Sequence, residues 1–324
     1  MLKTKTLFFI MTILSTMITI CSNSWMSMWM GLEINLMSFI PLIKEKKSKK
    51  SSEAIMMYFL VQSVSSTTLL FSILLTMMHP NSEIFNMLVM MTLMMKMGAA
   101  PFHMWLPEMM SKMEWKSNIL MMTWQKLGPL MMMSNMNPKG SMMTIMVMTC
   151  ITVGAMGGLN QTSLRKIMAY SSINHLGWIM SVIKIQNNWL MYLLIYSMMI
   201  INICTMFNKY NMLFISQVNM MNLNSTEKIT YVSSMLSLGG MPPFIGFLPK
   251  WIVIQDMMLN KMYLMLLIML MMSMITLFYY MRVMSMTVMT NSMNSKWMHF
   301  KSNMKITNLN LIINFSLPMV MLIN

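Results

Sequence analysis

The sequence is poor in charged residues, and acidic residues are the scarcest: eight Asp and Glu stand against 23 Lys and Arg in 324 residues. Charged residues make up 10% of the chain, whereas soluble domains carry about 25%. Because 56% of the residues are hydrophobic, a normal water-facing surface cannot be built. Apolar runs of about 20 residues, the length that crosses a bilayer, recur along the sequence. We therefore exclude a soluble domain and predict an all-α polytopic membrane protein.

Cysteine and histidine are also rare, with three and four residues. Cys21, Cys150 and Cys204 show no CxxC spacing and lie in or beside apolar runs, which argues against a disulfide framework and against a metal site. The sequence has no phosphate-binding glycine loop, dinucleotide fingerprint or Ser/His/Asp order that would indicate catalysis. We expect no metal or cofactor in this chain and no redox chemistry by it, and we interpret it as a chain that moves something across a membrane.

Methionine is abundant instead, with 60 residues. A methionine-rich copper site would need clusters, but these residues are spread along the whole chain. Methionine is also an apolar, flexible helix former that fills cores. The excess is typical of coding bias in an AT-rich organelle genome.

Eleven spans are predicted within a single membrane domain, 1–324. The N-terminal stretch resembles a signal peptide but lacks a small-residue cleavage pattern, so we take it as the first span. The spans cover residues 6–23, 25–43, 54–78, 84–111, 117–134, 141–158, 166–183, 189–208, 229–257, 263–281 and 306–323.

The cations predict the orientation of these spans. Segments on the N-terminal side hold seventeen: Lys3, Lys5, Lys44, Lys46, Lys47, Lys49, Lys50, Lys112, Lys116, Arg165, Lys166, Lys209, Lys228, Arg282, Lys296, Lys301 and Lys305. The opposite loops hold only Lys139, Lys184 and Lys261. By the positive-inside rule the N-terminus faces the cytoplasm-equivalent side, and the net charge of +15 needs no nucleic-acid partner.

Three lysines remain, Lys96, Lys126 and Lys250, and all fall inside predicted spans together with Glu33. A charge at the centre of a membrane helix costs about 2.5–3.5 kcal/mol on insertion scales. Snorkelling to the interface is the alternative explanation, and it is least plausible for Lys126 and Glu33, which lie far from span ends. We predict a functional role for all four residues.

Two of the spans are unusually long and carry related interruptions. The first contains PFHMWLPE at 101–108, and the second contains PFIGFLPK at 243–250, so that Pro, Phe, an aromatic residue, Leu and Pro recur in register. The copies lie in the fourth and the ninth span, five spans apart, so they cross in opposite directions. We predict two inverted repeats, with a first broken helix at 84–111 and a second at 229–257. Discontinuous helices mark ion or substrate pathways in transporters.

Buried lysine, glutamate and histidine together suit proton transfer. Burial disfavours a charged ammonium group, and a nearby carboxylate favours it. A change in the position or charge of the carboxylate therefore makes the lysine bind or release a proton. A row of such groups passes protons by coupled titration. His103 in the first interruption and His175 in AYSSINHLGWI are candidate relays, although a lone histidine is as often a hydrogen-bonded core residue.

Five blocks in this order resemble the antiporter-like membrane subunits of mitochondrial respiratory complex I, the NADH–ubiquinone oxidoreductase. They are WMGLEINLMSFIPLI, KMGAAPFHMWLPEMM, MTWQKLGPL, GGLNQTSLRKIMAYSSINHLGWI and SLGGMPPFIGFLPKWIVIQ. The resemblance runs from the second span to about residue 258. It implies a fold of two inverted five-helix repeats and, for animal members, eleven helices.

The same resemblance implies residue roles. Glu33 is the coupling glutamate, Lys96 its paired lysine on the first broken helix, and Lys126 the next lysine of a central hydrophilic axis. Lys250 on the second broken helix ends that axis, and His175 lies on a helix that contributes polar residues to it.

The function implied is proton translocation across the mitochondrial inner membrane, coupled to electron transfer from NADH to ubiquinone. NADH, FMN, iron–sulfur clusters and ubiquinone would be bound by other subunits. The partners implied are other membrane-arm chains, supernumerary subunits and lipids, with the N-terminus in the matrix and the C-terminus in the intermembrane space. Two alternatives stay open: a Na⁺ (or H⁺) antiporter subunit of the related type, and a structural subunit whose polar axis only holds helices together.

Overall fold

The computed structural model describes residues 2–44, 48–79, 82–136, 141–185, 189–219, 225–289 and 304–318. Several sequence predictions concern residues outside these ranges: Lys46, Lys47, Lys139, Lys296, Lys301 and the end of the last span, 319–323. The described residues form helices and one isolated β-bridge between Ser163 and Phe214.

The helices follow the predicted spans closely. In chain order they are α1 (Leu2–Cys21), α2 (Trp25–Ile43), α3 (Lys49–Met78), α4 (Glu83–Met97), α5 (Trp105–Lys112), α6 (Trp115–Met122), a 3₁₀ turn (Trp124–Lys126), α7 (Leu127–Asn135), α8 (Ser141–Gly158), α9 (Leu164–Ile185), α10 (Trp189–Lys209), α11 (Ile215–Asn219), α12 (Ser225–Gly239), α13 (Phe247–Leu259), α14 (Tyr263–Met289) and α15 (Met304–Asn314). The chain divides into two compact units, Met1–Cys150 and Ile151–Asn324.

Six of the described helices are long and apolar enough to cross a membrane. They contain the segments Thr4–Cys21, Trp25–Ile43, Lys49–Met78, Ser141–Gly158, Trp189–Lys209 and Tyr263–Ser285. The chain is therefore a multi-pass membrane protein. Of the other predicted spans, 166–183 is occupied by α9, a helix of 22 residues that is less apolar than these six, and the rest are occupied by shorter helices, most of them on either side of an interruption.

One face of α14 exposes large apolar side chains, as expected for a helix in contact with lipid. Large side chains at helical spacing are 60–76% exposed: Leu264, Leu267, Met271, Met274 and Phe278. The opposite face is buried and carries Thr276, Tyr279 and Tyr280. A contiguous apolar stripe of this kind is rare on soluble monomers. It suits a helix that presents one side to lipid and the other to the interior of its unit.

The span predicted at 117–134 is not one continuous helix. It consists of α6, the 3₁₀ turn and α7, with the change of geometry at Thr123–Lys126. Pro129 explains the position of the change, because a proline has no N–H for the carbonyl four residues earlier and its ring clashes with that carbonyl. The carbonyl in question belongs to Gln125, inside the turn. The structure also has the short helix α11 in a segment that was predicted only as a connection.

Candidate functional site

The first interruption lies between α4 and α5. Helix α4 ends at Gly98, whose φ of 67° is left-handed and whose N–H bonds to the carbonyls of Met94 and Met95. A left-handed glycine at this position is a common way to end a helix. Pro101 follows through a cis peptide bond, and α5 begins at Trp105. The helix is thus broken where the sequence places Gly and Pro.

Lys96 lies in the last turn of α4 and is 6% exposed. Its backbone carbonyl accepts a hydrogen bond of 2.9 Å from Nε2 of Gln62 on α3. Beside it is a cavity of about 20 Å³ lined by Leu32, Asn35, Leu36, Tyr58, Gln62, Lys96, Met121, Gln125 and Pro129. A cavity of roughly 10–15 Å³ holds one water molecule if polar groups surround it. Five of these nine residues carry such groups, so the cavity suits a single water next to Lys96.

Two amides close the wall of this cavity. Nδ2 of Asn35 donates to Oε1 of Gln125 at 3.0 Å, and Nε2 of Gln125 donates to Oδ1 of Asn35 at 3.1 Å. This reciprocal pair joins α2 to the residue before Lys126. Each amide keeps one further donor and one further acceptor position. The pair can therefore bind a water molecule without losing its own bonds.

Glu33 is half-buried on α2, next to the cavity residue Leu32 and one turn from the cavity residue Leu36. It is close enough to act electrostatically on Lys96 and on Tyr58. Among the described residues, the ion pairs within 4 Å involve other side chains. Glu33 also lines an open groove of about 320 Å³ with Phe8, Met11, Ile34, Met37 and Ser38. The carboxylate therefore lies between the Lys96 region and the outer surface of its unit.

Lys126 ends the 3₁₀ turn and is 2% exposed. It interacts electrostatically with Cys150 on α8, which is also buried. The Cys150 thiol in turn donates to the carbonyl of Ala100, at a sulfur–oxygen distance of 3.6 Å. This contact connects the surroundings of Lys126 with the first interruption. Glu33, Lys96 and Lys126 thus belong to one compact unit.

The second interruption, in the other unit, repeats the left-handed glycine after a helix end and the start of a new helix. Helix α12 ends at Gly239 and is followed by Gly240 with a φ of 75°, and α13 begins at Phe247. Gly240 and Phe247 lie 142 positions after Gly98 and Trp105, their counterparts in the first interruption. The repeat seen in the sequence thus coincides with repeated helix ends.

Lys250 lies in the first turn of α13 and is 4% exposed. Its Nζ donates to the carbonyl of Gly239 at 2.8 Å, and it lies 5.6 Å from the ring centroid of Trp178 on α9. A cation is favourable at the C-terminal end of a helix, where carbonyls are unpaired, and over the face of an indole. The amino group of Lys250 therefore lies at the C-terminal end of α12 and binds a carbonyl there.

The two histidines occupy different surroundings. His175 is buried in α9, with Nδ1 2.9 Å from the hydroxyl of Tyr192 and its ring 4.7 Å from that of Tyr196. His103 is half-exposed in the first interruption, with Nδ1 3.1 Å from the carbonyl of Pro101. His175 thus has side-chain partners in its unit, whereas the bond described for His103 is local.

Other polar groups near these residues were not predicted. Asn35, Gln62 and Gln125 surround the Lys96 cavity, and Tyr192 and Tyr196 surround His175. Of the acidic residues near the predicted span ends, Glu108 is exposed, whereas Asp256 is buried and its Oδ2 has no hydrogen-bond partner among the described residues. Uncharged polar residues are common in this sequence. These residues could have been predicted only from the helix face on which each of them lies.

A further ion pair lies at the end of α10. Nζ of Lys209 is 2.7 Å from Oε1 of Glu227, which is 3% exposed at the start of α12. Burial and the Glu227 carboxylate both raise the pKa of Tyr210, which lies just past α10. This cluster connects two helices, and it lies away from both interruptions in the sequence. Within the described part of the chain, no group of three His, Cys, Asp or Glu is placed to hold a metal ion.

Comparison with known proteins places this architecture in a family. Residues 22–276 match the family described as NADH:quinone oxidoreductase/Mrp antiporter, TM. NADH-ubiquinone oxidoreductase chain 2 of Locusta migratoria is 45% identical over 307 residues, covering 92% of this chain and 90% of the relative.

Two solved structures share the fold at low sequence identity. A chain of respiratory complex I from Thermus thermophilus matches with a TM-score of 0.79 at 18% identity, covering 97% of this chain and 79% of that one. A chain of the Mrp complex from Dietzia matches with a TM-score of 0.78 at 15% identity, covering 85% of this chain and 59% of that one. From the family match and the extent of the sequence identity, the chain belongs to the NADH-ubiquinone oxidoreductase chain 2 family.

Proposed function

We propose that this chain is an antiporter-like subunit in the membrane arm of respiratory complex I and that it moves protons across the mitochondrial inner membrane. Family membership supports the place in the complex. The single observation that supports proton movement is the burial of three lysines, Lys96, Lys126 and Lys250, each at most 6% exposed in a membrane protein. Ionisable groups kept at such cost inside a membrane usually serve transport.

The proposed proton-transfer residues are Glu33, Lys96, Lys126 and Lys250, with His175 and His103 as relays. In the first unit, Glu33 acts electrostatically on Lys96, so protonation of the carboxylate would weaken the hold of Lys96 on its proton. A water in the cavity beside Lys96, held by the Asn35–Gln125 pair, would accept that proton and pass it toward Lys126. In the second unit, Lys250 and His175 would continue the axis.

The proposed architecture is two inverted repeats of five helices within eleven spans, forming a single membrane domain. The broken helices at 84–111 and 229–257 are the discontinuous helices of the two repeats. The equal spacing of Gly98 and Trp105 from Gly240 and Phe247 supports this assignment. The cation distribution supports an N-terminus in the matrix and a C-terminus in the intermembrane space. NADH, FMN, iron–sulfur clusters and ubiquinone would be held by partner subunits.

The test uses the intact complex reconstituted in liposomes. Lys96→Ala and Lys126→Ala should each abolish most of the proton movement per NADH oxidised, with the complex still assembled. Lys184→Ala is the matched control, because Lys184 is half-buried at the end of α9 and its described contact is with the sulfur of Met262. Unchanged pumping in assembled Lys96 and Lys126 variants would defeat the proposal and favour a structural subunit.

An antiporter subunit is the second candidate function. It is supported by the fold that this chain shares with the Mrp complex chain, at a TM-score of 0.78. Purification of the native membrane assembly distinguishes the two. Co-migration of the chain with NADH dehydrogenase activity supports complex I. Isolation of the chain in an assembly free of flavoprotein subunits supports an antiporter.

A further inference from the structure

Helix α15 packs against α12, the helix that ends at the second interruption. The buried face of α15 is polar, because Thr307, Asn310 and Asn314 follow one another at helical spacing and each is at most 5% exposed. Asn314 is completely buried. A buried amide costs free energy unless its polar atoms are hydrogen-bonded. The partners of Asn314 therefore indicate what this part of α15 contributes.

The side chain of Asn314 contacts two serines in the last two turns of α12. Its Nδ2 donates to the hydroxyl of Ser233, and its Oδ1 accepts from the hydroxyl of Ser237, both at 3.4 Å. Both serines are at most 3% exposed. Ser237 lies two residues before Gly239, whose carbonyl binds Nζ of Lys250. The amide on α15 is thus attached to the helix end that receives the Lys250 amino group.

The backbone of Asn314 contacts the other side of the break. The N–H of Ile245, in the loop that leads to α13, donates to the carbonyl of Asn314 at 3.1 Å. The neighbouring residues Phe244 and Phe315 add an edge-to-face ring contact at 5.2 Å. Asn314 is therefore bonded on both sides of the second interruption, to α12 before it and to the loop after it.

The loop also lies directly on α12. A Cβ at Gly246 would overlap the carbonyl oxygen of Ser237, so only glycine allows this close approach. The same carbonyl accepts a hydrogen bond of 3.0 Å from the N–H of Gly240. The two segments that flank the break thus meet at Ser237, which is one of the two residues that the Asn314 side chain holds.

Resting on the proposed function, we infer that Asn314 is a positioning residue for Lys250. Lys250 lies in the first turn of α13 and its partner carbonyl lies at the end of α12, so the 2.8 Å contact between them depends on how these two segments are held together. Asn314 joins both segments to a third helix. A group that transfers protons acts within about 2.6–3.2 Å of its partner. Asn314 keeps the Lys250 amino group in that range and exchanges no proton itself.

A residue that only stabilises the helices would make the same contacts, so the test needs a readout that stability does not change. That readout is the number of protons moved per NADH oxidised by the assembled complex in liposomes. A loss of stability lowers the yield of complex and its inactivation temperature, but each complex that stays assembled keeps its ratio. Misplacement of Lys250 lowers the ratio itself.

The experiment compares Asn314→Leu with Ser233→Ala, which remove the same hydrogen bond from its two ends. We expect Ser233→Ala to lower the ratio about threefold, within the roughly 2–12-fold range that one hydrogen bond of ordinary net strength corresponds to. Asn314→Leu should lower it further, because it also removes the contact with Ser237.

Each variant has a matched control. Ser234→Ala is the control for Ser233→Ala, because Ser234 is also 3% exposed on α12 but its hydroxyl binds the carbonyl of Tyr231. Asn310→Leu is the control for Asn314→Leu, because Asn310 is a buried amide of α15 that forms no hydrogen bond with α12 in the described part of the chain. Both control variants should keep the ratio of the unmodified complex.

The outcomes separate this inference from the proposed function. A lower ratio in Asn314→Leu and Ser233→Ala, with normal controls, supports the positioning role. An unchanged ratio in assembled Ser233→Ala, or an equal loss in the controls, overturns it, while loss of pumping in Lys96→Ala leaves the proposed function standing. If Asn314→Leu does not assemble, Ser233→Ala and its control decide alone. Normal pumping in Lys96→Ala and Lys126→Ala would remove the proposed function itself.

Discussion

The two interruptions have similar helix ends, but their lysines occupy different positions relative to the break. Each has a left-handed glycine, a proline-containing loop and a new helix that begins seven residues after the glycine, at Trp105 or Phe247. In the first, Lys96 precedes the break and Gln62 binds its carbonyl. In the second, Lys250 follows the break and its own Nζ binds the carbonyl of Gly239. The carbonyl at the helix end is therefore bound by a neutral amide in one unit and by a lysine ammonium group in the other.

This difference shows that the lysine side chain helps to hold the helix end in the second unit, whereas the lysine side chain and the helix end are separable in the first. At Lys250, one ammonium group both closes a helix end and is proposed to carry a proton. At Lys96, the helix carbonyl keeps its partner whatever the lysine does. Loss of the proton from Lys250 still leaves an amine that can donate to Gly239.

The largest difference is expected for alanine at the two glycines. Both substitutions place a side chain in the left-handed region, at about 1–2 kcal/mol. At Gly240 the new Cβ would also lie 2.7 Å from the Lys250 side chain, whereas at Gly98 it meets Leu106 and Trp105 at 3.1–3.2 Å. Gly240→Ala should therefore destabilise by about 3 kcal/mol in all, because it also disturbs the Lys250 bond. Thermal inactivation of the purified complex measures both. Equal shifts of the inactivation temperature in the two variants would contradict the structural role of the Lys250 bond.

Methionine in place of each lysine gives the next largest difference. Lys250→Met leaves the Gly239 carbonyl without its described donor, at about 1–3 kcal/mol. Lys96→Met leaves the bond from Gln62 to the backbone intact, so its cost in stability should be smaller. The yield of assembled complex and its inactivation temperature test this order. A larger loss of stability in Lys96→Met than in Lys250→Met would contradict the proposed difference between the two interruptions.

Gln62→Leu tests the neutral amide directly. It removes the donor to the Lys96 carbonyl and should destabilise the first interruption by about 1–2 kcal/mol. Lys250 and the second unit should be unaffected. Hydrogen exchange of the α4 and α13 amides in the intact complex reports each region separately. Faster exchange confined to the end of α4 is the expected result, and unchanged exchange there would show that the amide bond is dispensable.

The smallest effect is expected at His103. It is half-exposed in a loop, so His103→Ala should change stability by less than about 0.5 kcal/mol and should affect coupling less than His175→Ala. Proton movement per NADH in the two variants checks this ranking. A larger loss at His103 would make it the more important relay of the two.

The sequence predicted the charged part of the site because ionisable residues are conspicuous in apolar spans. Lys96, Lys126 and Lys250 were identified in this way, and the structure shows all three buried. The uncharged groups could not be identified, because Asn35, Gln62 and Gln125 become a cavity wall only when three helices meet. The 3₁₀ turn that ends at Lys126 was also not predicted, since a proline such as Pro129 is tolerated in many membrane helices. The helix ends, in contrast, followed from Gly and Pro.

The most direct test of buried lysines as proton carriers is a structure of the intact complex at a resolution that shows water. We expect an ordered water in the cavity of about 20 Å³, within hydrogen-bond distance of Lys96 and of the Asn35–Gln125 pair. We also expect further waters to connect this site to Lys126. A dry cavity, with the lysine ammonium groups directed to lipid or headgroups, would contradict the account.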